Sequence, residues 1–338
     1  MSRQYVERES RTIRNEVFLG HRSICFIYYQ LRKNAPLMYQ IVSSARTSRL
    51  LAFINFHSLI NEKFNGRRSF LKTTGIDLRE CVGTTAHLDT PRKVFERKIR
   101  YWECRPLPEE EAAVVSPCDA RMLIGSFNAE SGIFIKGKFF HCEELLGINK
   151  KTWLTALEQG DFAVFRLTPN RCHYNHTPVA GKIIDFYSIA GRYHACHPEA
   201  VISLMTPCSK NKRVITIIDT DVHGGTQVGI VAMVEVVALM IGEIVQCYSE
   251  EKYENPVPIG TGIFVKKGCP KSLFRPGSSA LVLILQNDRV RFEEDIIGNM
   301  SLSGVDSVFS RSFSQPLVET DVKVRTRIGT AFYEIAAR

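Results

Sequence analysis

A chain of 338 residues that is 44% apolar and 23% charged has the composition of a globular protein, with length to bury one large core or two ordinary ones. Its net charge of +9 favours contact with something anionic, a lipid surface or nucleic acid, although solubility alone is served by the same excess. Ten cysteines without a C-x-x-C pair point to reduced thiols and away from a disulfide framework.

The first apolar stretch follows a long charged segment, so no signal peptide is expected. Residues 23–31 and 50–61 are the most apolar early windows, and both fall short of the roughly 18 residues a membrane span needs. The first hundred or so residues read as helical. Met38, Ile41, Val42 and Ala45 recur at helical spacing, with Gln40, Ser43, Ser44 and Arg46 on the other faces. Arg32, Lys33, Arg46 and Arg49 flank these stretches. A basic amphipathic segment of this kind can lie on an anionic membrane or pack on the protein's own core, and both readings stand. "RRSFLK" at 67–72 imitates a twin-arginine export signal, but it lies far from the start and no apolar stretch follows it. Residues 1–75 are therefore expected to form a helical, basic, membrane-associating segment.

From about Val114 the pattern changes to strands. "GIFIKG", "DFAVFRL", "GKIIDFYSI", "RVITIID", "GIVAMVEVVALMIGEIVQCY", "GTGIFVKKG" and "SALVLIL" are β-branched or apolar runs separated by Gly, Pro and Asp turns. No strand–helix alternation joins them, which argues against a doubly wound parallel sheet. The fold class expected is α+β: N-terminal helices, then a β-rich barrel or sandwich. "HGGTQVG" (223–229) lacks a following helix and a Lys-Ser/Thr pair, so it reads as a hairpin turn and not a phosphate cradle. The serine-rich stretch 301–314 reads as a loop.

Three stretches could carry chemistry. "SPCDAR" puts Asp119 after a proline and a tight turn, and an aspartate there is commonly only a turn former. "RLTPNRCHYNHTPVAG" puts His173 and His176 in a loop between two strands, bracketed by Pro169 and Pro178. "YHACH" adds His194 and His197 at the same spacing, but no glutamate stands where a hydrolytic base would be, and no metal is expected. The third stretch is "RPGSSALVLIL". Ser278 lacks the G-x-S-x-G elbow of hydrolases and has Gly277 directly before it. A serine hydroxyl can turn back on the carbonyl of its own preceding residue, and glycine there removes the Cβ that would obstruct the approach. A histidine can take the serine proton, and an aspartate can hold the imidazole and stabilise its cation. The bond between Gly277 and Ser278 reads as a self-cleavage site.

These stretches, in this order, resemble the phosphatidylserine decarboxylase family. Its glycine-serine cleavage motif and apolar strand match "PGSSALVLI", its "SPxDG" matches "SPCDAR", and its "RLxPxxYHRxHxPxxG" matches "RLTPNRCHYNHTPVAG". "VFERKIRYWECRPLP", "FIKGKFFHCEELLG", "NKRVITIIDT" and "EEDIIGNM" with "LVETDVKVRTRIG" resemble further family segments, so the likeness runs from about residue 76 to 329. Where the family shows "GEExGxFxxGST", this chain has "GCPKSLFRPGSS", with Cys269 and Pro270 in place of the acidic pair. Ala120, Cys172, Tyr174, Val237 and Glu243 replace the family's Gly, Tyr, Arg, Gly and Ser. None of these changes removes a reacting group.

The resemblance implies a self-cleaving proenzyme whose catalytic domain is 76–338. Asp119 would orient His176, which removes the Ser278 proton. The alkoxide attacks the Gly277 carbonyl, and elimination and hydrolysis leave a pyruvoyl group at 278, with release of ammonia. A β chain ending at Gly277 and an α chain starting at 278 result. The pyruvoyl is then the cofactor, an electron sink for the pair left by CO2 loss. His173 is the candidate for carboxylate contact or reprotonation. The implied substrate is phosphatidylserine, giving phosphatidylethanolamine at a membrane bound peripherally, on its cytoplasmic face. The partners are the two chains for each other and an anionic lipid surface; a homodimer is left open and nucleic acid is not expected. The runner-up is a soluble pyruvoyl-dependent amino-acid decarboxylase of the same family, and a non-catalytic lipid-binding relative is the third reading.

Overall fold

The computed structural model describes residues 3–16, 25–47, 50, 71, 74–131, 140–204, 207–239, 243–277, 279–313 and 315–332. Its strands, in chain order, are β1 (Gln4–Glu7), β2 (Thr12–Asn15), β3 (Ala113–Val115), β4 (Ala120–Ser126), β5 (Asp161–Leu167), β6 (Tyr174–His176), β7 (Gly181–Ile189) and β8 (Arg213–Asp219). They continue as β9 (Ile230–Val237), β10 (Ile244–Gln246), β11 (Phe264–Val265), β12 (Pro270–Phe274), β13 (Ser279–Leu285), β14 (Val290–Phe292), β15 (Thr320–Val322) and β16 (Arg327–Ala331).

A ten-stranded sheet runs β11-β7-β8-β9-β13-β5-β4-β15-β1-β2. Every pairing in it is antiparallel except β1 with β15. β13 sits between β9 and β5 and is buried along its whole length. That is why "SALVLIL" is apolar at successive positions where a half-exposed strand would alternate: both faces are covered. Two three-stranded sheets, β10-β12-β6 and β14-β16-β3, complete the body. Val114 of β3, Phe274 of β12, Val282 of β13 and Ile328 of β16 share one apolar cluster, so the three sheets enclose a common core.

The α+β class stands, with two corrections. The large sheet has β11 and β2 as open edges, so no barrel closes among the described residues. The chain also does not begin with helices. Residues 4–15 form a hairpin in which Val6 pairs with Ile13, and β1 docks on the edge of β15, putting Val6 into a small cluster with Val305 and Val318. An open strand edge three hundred residues away, not local helical preference, decides this segment.

Helical backbone does follow, over Phe26–Leu31, Arg32–Asn34 and Pro36–Val42. The residues that bury include Tyr28 and Tyr39, the latter stacked on His194 at 5.9 Å between ring centroids. Phe26, Leu37, Met38 and Ile41 stay exposed, as do Arg32, Lys33 and Arg46. Arg49, residues 51–70 (with most of the "RRSFLK" stretch) and the "GIFIKG" run lie outside the described residues. The stretch 301–314 is not all loop: Val308–Phe313 is a helix that buries Phe309. Its serines serve the local fold, Ser312 Oγ donating to the Val308 carbonyl and Ser310 Oγ accepting from the Leu317 N–H.

Candidate active site

β12 belongs to a small sheet and β13 to the large one, so the residues that join them cross from one to the other. The crossing is tied down on both sides. The Phe274 N–H donates to the His173 carbonyl (3.1 Å) and the Arg275 N–H to that of Glu243 (3.2 Å). The Arg275 guanidinium holds Glu96 at 2.7 Å. Downstream, Ser279 is paired with both Leu167 and Val237. Between these anchors Gly277 has φ 149°, a backbone conformation that residues with a Cβ rarely adopt. Ser278, the expected nucleophile, lies outside the described residues.

β6 and the residue just before it carry the two candidate imidazoles. The register of β6 on β12 sets His176 against Pro270, while His173, just before the strand, is bonded to Phe274. His173 Nδ1 lies 2.9 Å from the Arg171 carbonyl, and His176 Nδ1 lies 2.9 Å from that of Gly268. A carbonyl only accepts, so in each ring Nδ1 carries the hydrogen and Nε2 keeps its lone pair. Both Nε2 atoms are buried without a partner among the described residues. Burial, with Arg97 nearby, pushes His173 down to about 3. Burial pushes His176 down to about 4, against the pull of its bond to Gly268. Two neutral imidazoles, each with a basic nitrogen free, are what proton abstraction requires. His173 stacks on Phe95 (3.6 Å) and His176 meets the edge of Tyr101 (4.8 Å). Tyr101, Tyr253, Tyr174 and Cys172 share one cluster, which lines the His176 side of the strand.

No hydrogen bond joins Asp119 to His176. Both of its oxygens accept from Arg105, at 3.1 and 2.9 Å, and one also accepts from the Val324 N–H at 2.8 Å. Burial opposes its charge, but Arg105 outweighs it and holds the carboxyl below its ordinary range. The connection to His176 is made by backbone, the His176 N–H donating to the Pro117 carbonyl at 2.7 Å in the same turn. Asp119 therefore reaches the imidazole through its field, not through a hydrogen bond. Arg105, which the sequence reading did not single out, also holds Glu80 and is the hub of this arrangement.

Other buried groups missed from sequence brace the same strands. Glu235 of β9 receives Lys271 and Ser272 of β12, Asn175 of β6 and Gln246 of β10, and neither Glu235 nor Lys271 is exposed. A buried ion pair this well satisfied costs little once formed, but losing one partner leaves a stranded charge. Glu319 and Asp321 of the C-terminal "ETDV" hold Arg166, and Arg121 with Arg171, respectively. Arg171 supplies the carbonyl that sets the His173 tautomer, so the two sides of the expected cut are joined by buried ion pairs. No three His, Cys, Asp or Glu side chains converge as metal ligands do among the described residues. His194 bonds the Tyr39 hydroxyl, apart from His173 and His176.

The family model described as Phosphatidylserine decarboxylase matches residues 92–301, a span that takes in Arg105, Asp119, both imidazoles and the crossing at Gly277. The chain belongs to the phosphatidylserine decarboxylase family. The phosphatidylserine decarboxylase proenzyme of Fusobacterium nucleatum subsp. nucleatum is 27% identical over 301 residues, 88% of this chain and 91% of that relative. The proenzyme of Chlamydia trachomatis serovar L2 is 29% identical over 299 residues, 87% and 90% of the two chains. Phosphatidylserine decarboxylase proenzyme 2 of Oryza sativa subsp. japonica is 29% identical over 260 residues, 76% of this chain and 36% of the longer relative. As a member of the phosphatidylserine decarboxylase family the protein is a carboxy-lyase.

The buried imidazoles give this decarboxylase a definite pH response. Their folded values, about 3 and about 4, lie below the ordinary 6.5. Between those values and 6.5 the unfolded chain binds protons that the folded one does not. Stability is full above pH 6.5 and declines as the pH falls from there toward 4. Thermal melts should show this decline, and it should be shallower in His173→Gln; a melting temperature flat over that range would contradict the buried neutral rings.

Proposed function

We propose that this chain is a proenzyme that cuts itself between Gly277 and Ser278 and then decarboxylates phosphatidylserine to phosphatidylethanolamine, using a pyruvoyl group formed from Ser278. The observation that carries the reading is the crossing itself. A glycine at φ 149° directly precedes the serine, in a segment bonded to the stretch 173–176, whose two neutral imidazoles keep Nε2 atoms open among the described residues. These residues fit the group, since orphaned buried basic nitrogens are the acceptors its formation needs. When present, the pyruvoyl carbonyl supplies the sink for the electron pair left as CO2 departs.

In this reading His176 Nε2 takes the Ser278 hydroxyl proton, and the oxygen attacks the Gly277 carbonyl to replace the peptide bond with an ester. Proton removal from the serine Cα then expels the Gly277 carboxylate. Asp119 favours the transient His176 cation through space. β12 and β6 keep the new end of the β chain in place, while β5 and β9 hold the first strand of the α chain. His173 serves the substrate, holding or returning a proton. The specific alternative is an exchange of the two roles, because His173 is the ring bonded at the Phe274 end of β12.

The exposed apolar residues Phe26, Leu37, Met38 and Ile41, with Arg32 and Lys33 beside them, support peripheral docking on an anionic bilayer. No helix among the described residues is long and apolar enough to cross a membrane. The test is turnover on phosphatidylserine vesicles beside free serine and tryptophan. Phosphatidylethanolamine should form, with no CO2 from either free amino acid. The reverse pattern would move the assignment to the soluble amino-acid decarboxylase reading.

A further inference from the structure

Arg97 stands out among the buried arginines. It is 6% exposed, yet no carboxylate pairs with it among the described residues. Arg3, Arg105, Arg121 and Arg166 are buried to a similar degree, and each holds a carboxylate. Arg213 has none, but its Nε and both Nη atoms all donate to backbone carbonyls. In Arg97, Nη1 donates to the Val94 carbonyl (3.1 Å), Nη2 to that of Asn170 (2.7 Å), and Nε has no partner among the described residues. The neighbouring carboxylate is committed elsewhere, Glu96 holding Arg92 at 2.8 Å and Arg275 at 2.7 Å.

The guanidinium is thus gripped from two sides, with no carboxylate against it and part of its donor fork unused among the described residues. It is also beside the chemistry. Phe95 stacks on His173, and the Asn170 carbonyl belongs to the loop whose Arg171 carbonyl holds His173 Nδ1. A buried cation without a counter-charge is costly, and an anion delivered by a ligand relieves that cost. We propose that Arg97 receives the phosphodiester of the lipid headgroup and so selects a phospholipid over a free amino acid; this rests on the phosphatidylserine reading above.

The other anion of that substrate, the carboxylate, is the less suitable partner. Its charge leaves with CO2, so a cation bound there would favour the reactant over the transition state. The phosphodiester keeps its charge throughout and sits apart from the reacting carbon. A contact with it is equally strong before and during reaction, and its loss appears in KM and not in kcat.

The experiment uses the processed enzyme and short-chain phosphatidylserine below its micelle concentration, which removes membrane binding from the measurement. Arg97→Gln should still cut itself into two chains, with KM raised about 10- to 100-fold, the worth of one charge-assisted contact, and kcat changed no more than a few-fold. Glycerophosphoethanolamine, a phosphodiester without a carboxylate, should inhibit the wild type competitively and lose that inhibition in Arg97→Gln. Arg97→Lys, which keeps the charge without the fork, should fall between them. The inference is overturned by an unchanged KM, by a loss confined to kcat, by a variant that stays uncut, or by lost inhibition with free serine in place of the phosphodiester. If Arg97→Gln does not fold, absence of glycerophosphoethanolamine inhibition in the wild type overturns it equally. A wild type that turns over free amino acid and not the lipid defeats the parent reading. Lipid turnover with an indifferent Arg97 defeats this inference alone.

Discussion

Ser278→Ala should leave the chain whole. The wild type, folded and purified, should run on a denaturing gel as two fragments, Met1–Gly277 and 278–338, and the smaller should carry a pyruvoyl end by intact mass. The variant lacks the hydroxyl that attacks and should give one band of full mass and no decarboxylation. Its fold should survive, because the strands on either side of the crossing are secured by their own ladders. Gly277→Ala tests the same bond from the backbone side. A Cβ at φ 149° is strained, which costs about 1–3 kcal/mol at such a site, so cutting should slow without stopping. The fragments should stay together after the cut, because Glu319 and Asp321 in the α chain hold Arg166, Arg121 and Arg171 in the β chain. A wild type that remains one chain with an ordinary serine at 278 removes the enzyme mechanism proposed above and favours a lipid-binding relative.

The two histidines should separate cutting from turnover. His176→Gln should remain uncut. His173→Gln should cut but lose about 10²- to 10⁴-fold in decarboxylation, the range expected for a positioned acid or base. Glutamine fills much of the space of the ring with a polar, uncharged amide, while removing the basic Nε2. A difference between the variants then reports the proton and not a gap in packing. Since both rings titrate well below neutrality, processing should continue unchanged down to about pH 5 and fail only as His176 takes a proton near 4. If His173→Gln is the uncut variant and His176→Gln the cut, inactive one, the roles exchange, as the bond between His173 and Phe274 allows. If both cut and both turn over normally, neither ring is a base.

Several strands were legible from local pattern, because each depends on residues close together in the chain. "DFAVFRL", "GKIIDFYSI", "RVITIID" and "SALVLIL" coincide with β5, β7, β8 and β13, the first, third and fourth largely buried and β7 only partly. "HGGTQVG" turns between β8 and β9 as a hairpin should. The glycine before Ser278 is local in the same sense, and its φ of 149° belongs to one residue.

Long-range partners were not legible. That Asp119 would meet His176 was a fair expectation from residue types, yet Arg105 claims the carboxylate and the Gly268 carbonyl claims the ring. Charge pairing between distant segments depends on which strand edges meet, and neither periodicity nor spacing encodes that. Residues 4–15 illustrate the same limit, becoming strands because β15 offers an edge. By itself the sequence determined where strands can form, which bond has the glycine and serine to break, and which side chains could move a proton. Only the tertiary structure decided which nitrogen of each imidazole is free, which carboxylates are already spent on arginines, and that Arg97 is buried without one among the described residues. Those depend on burial and on partners brought from far along the chain, and they exist only once the sheets have closed around the core.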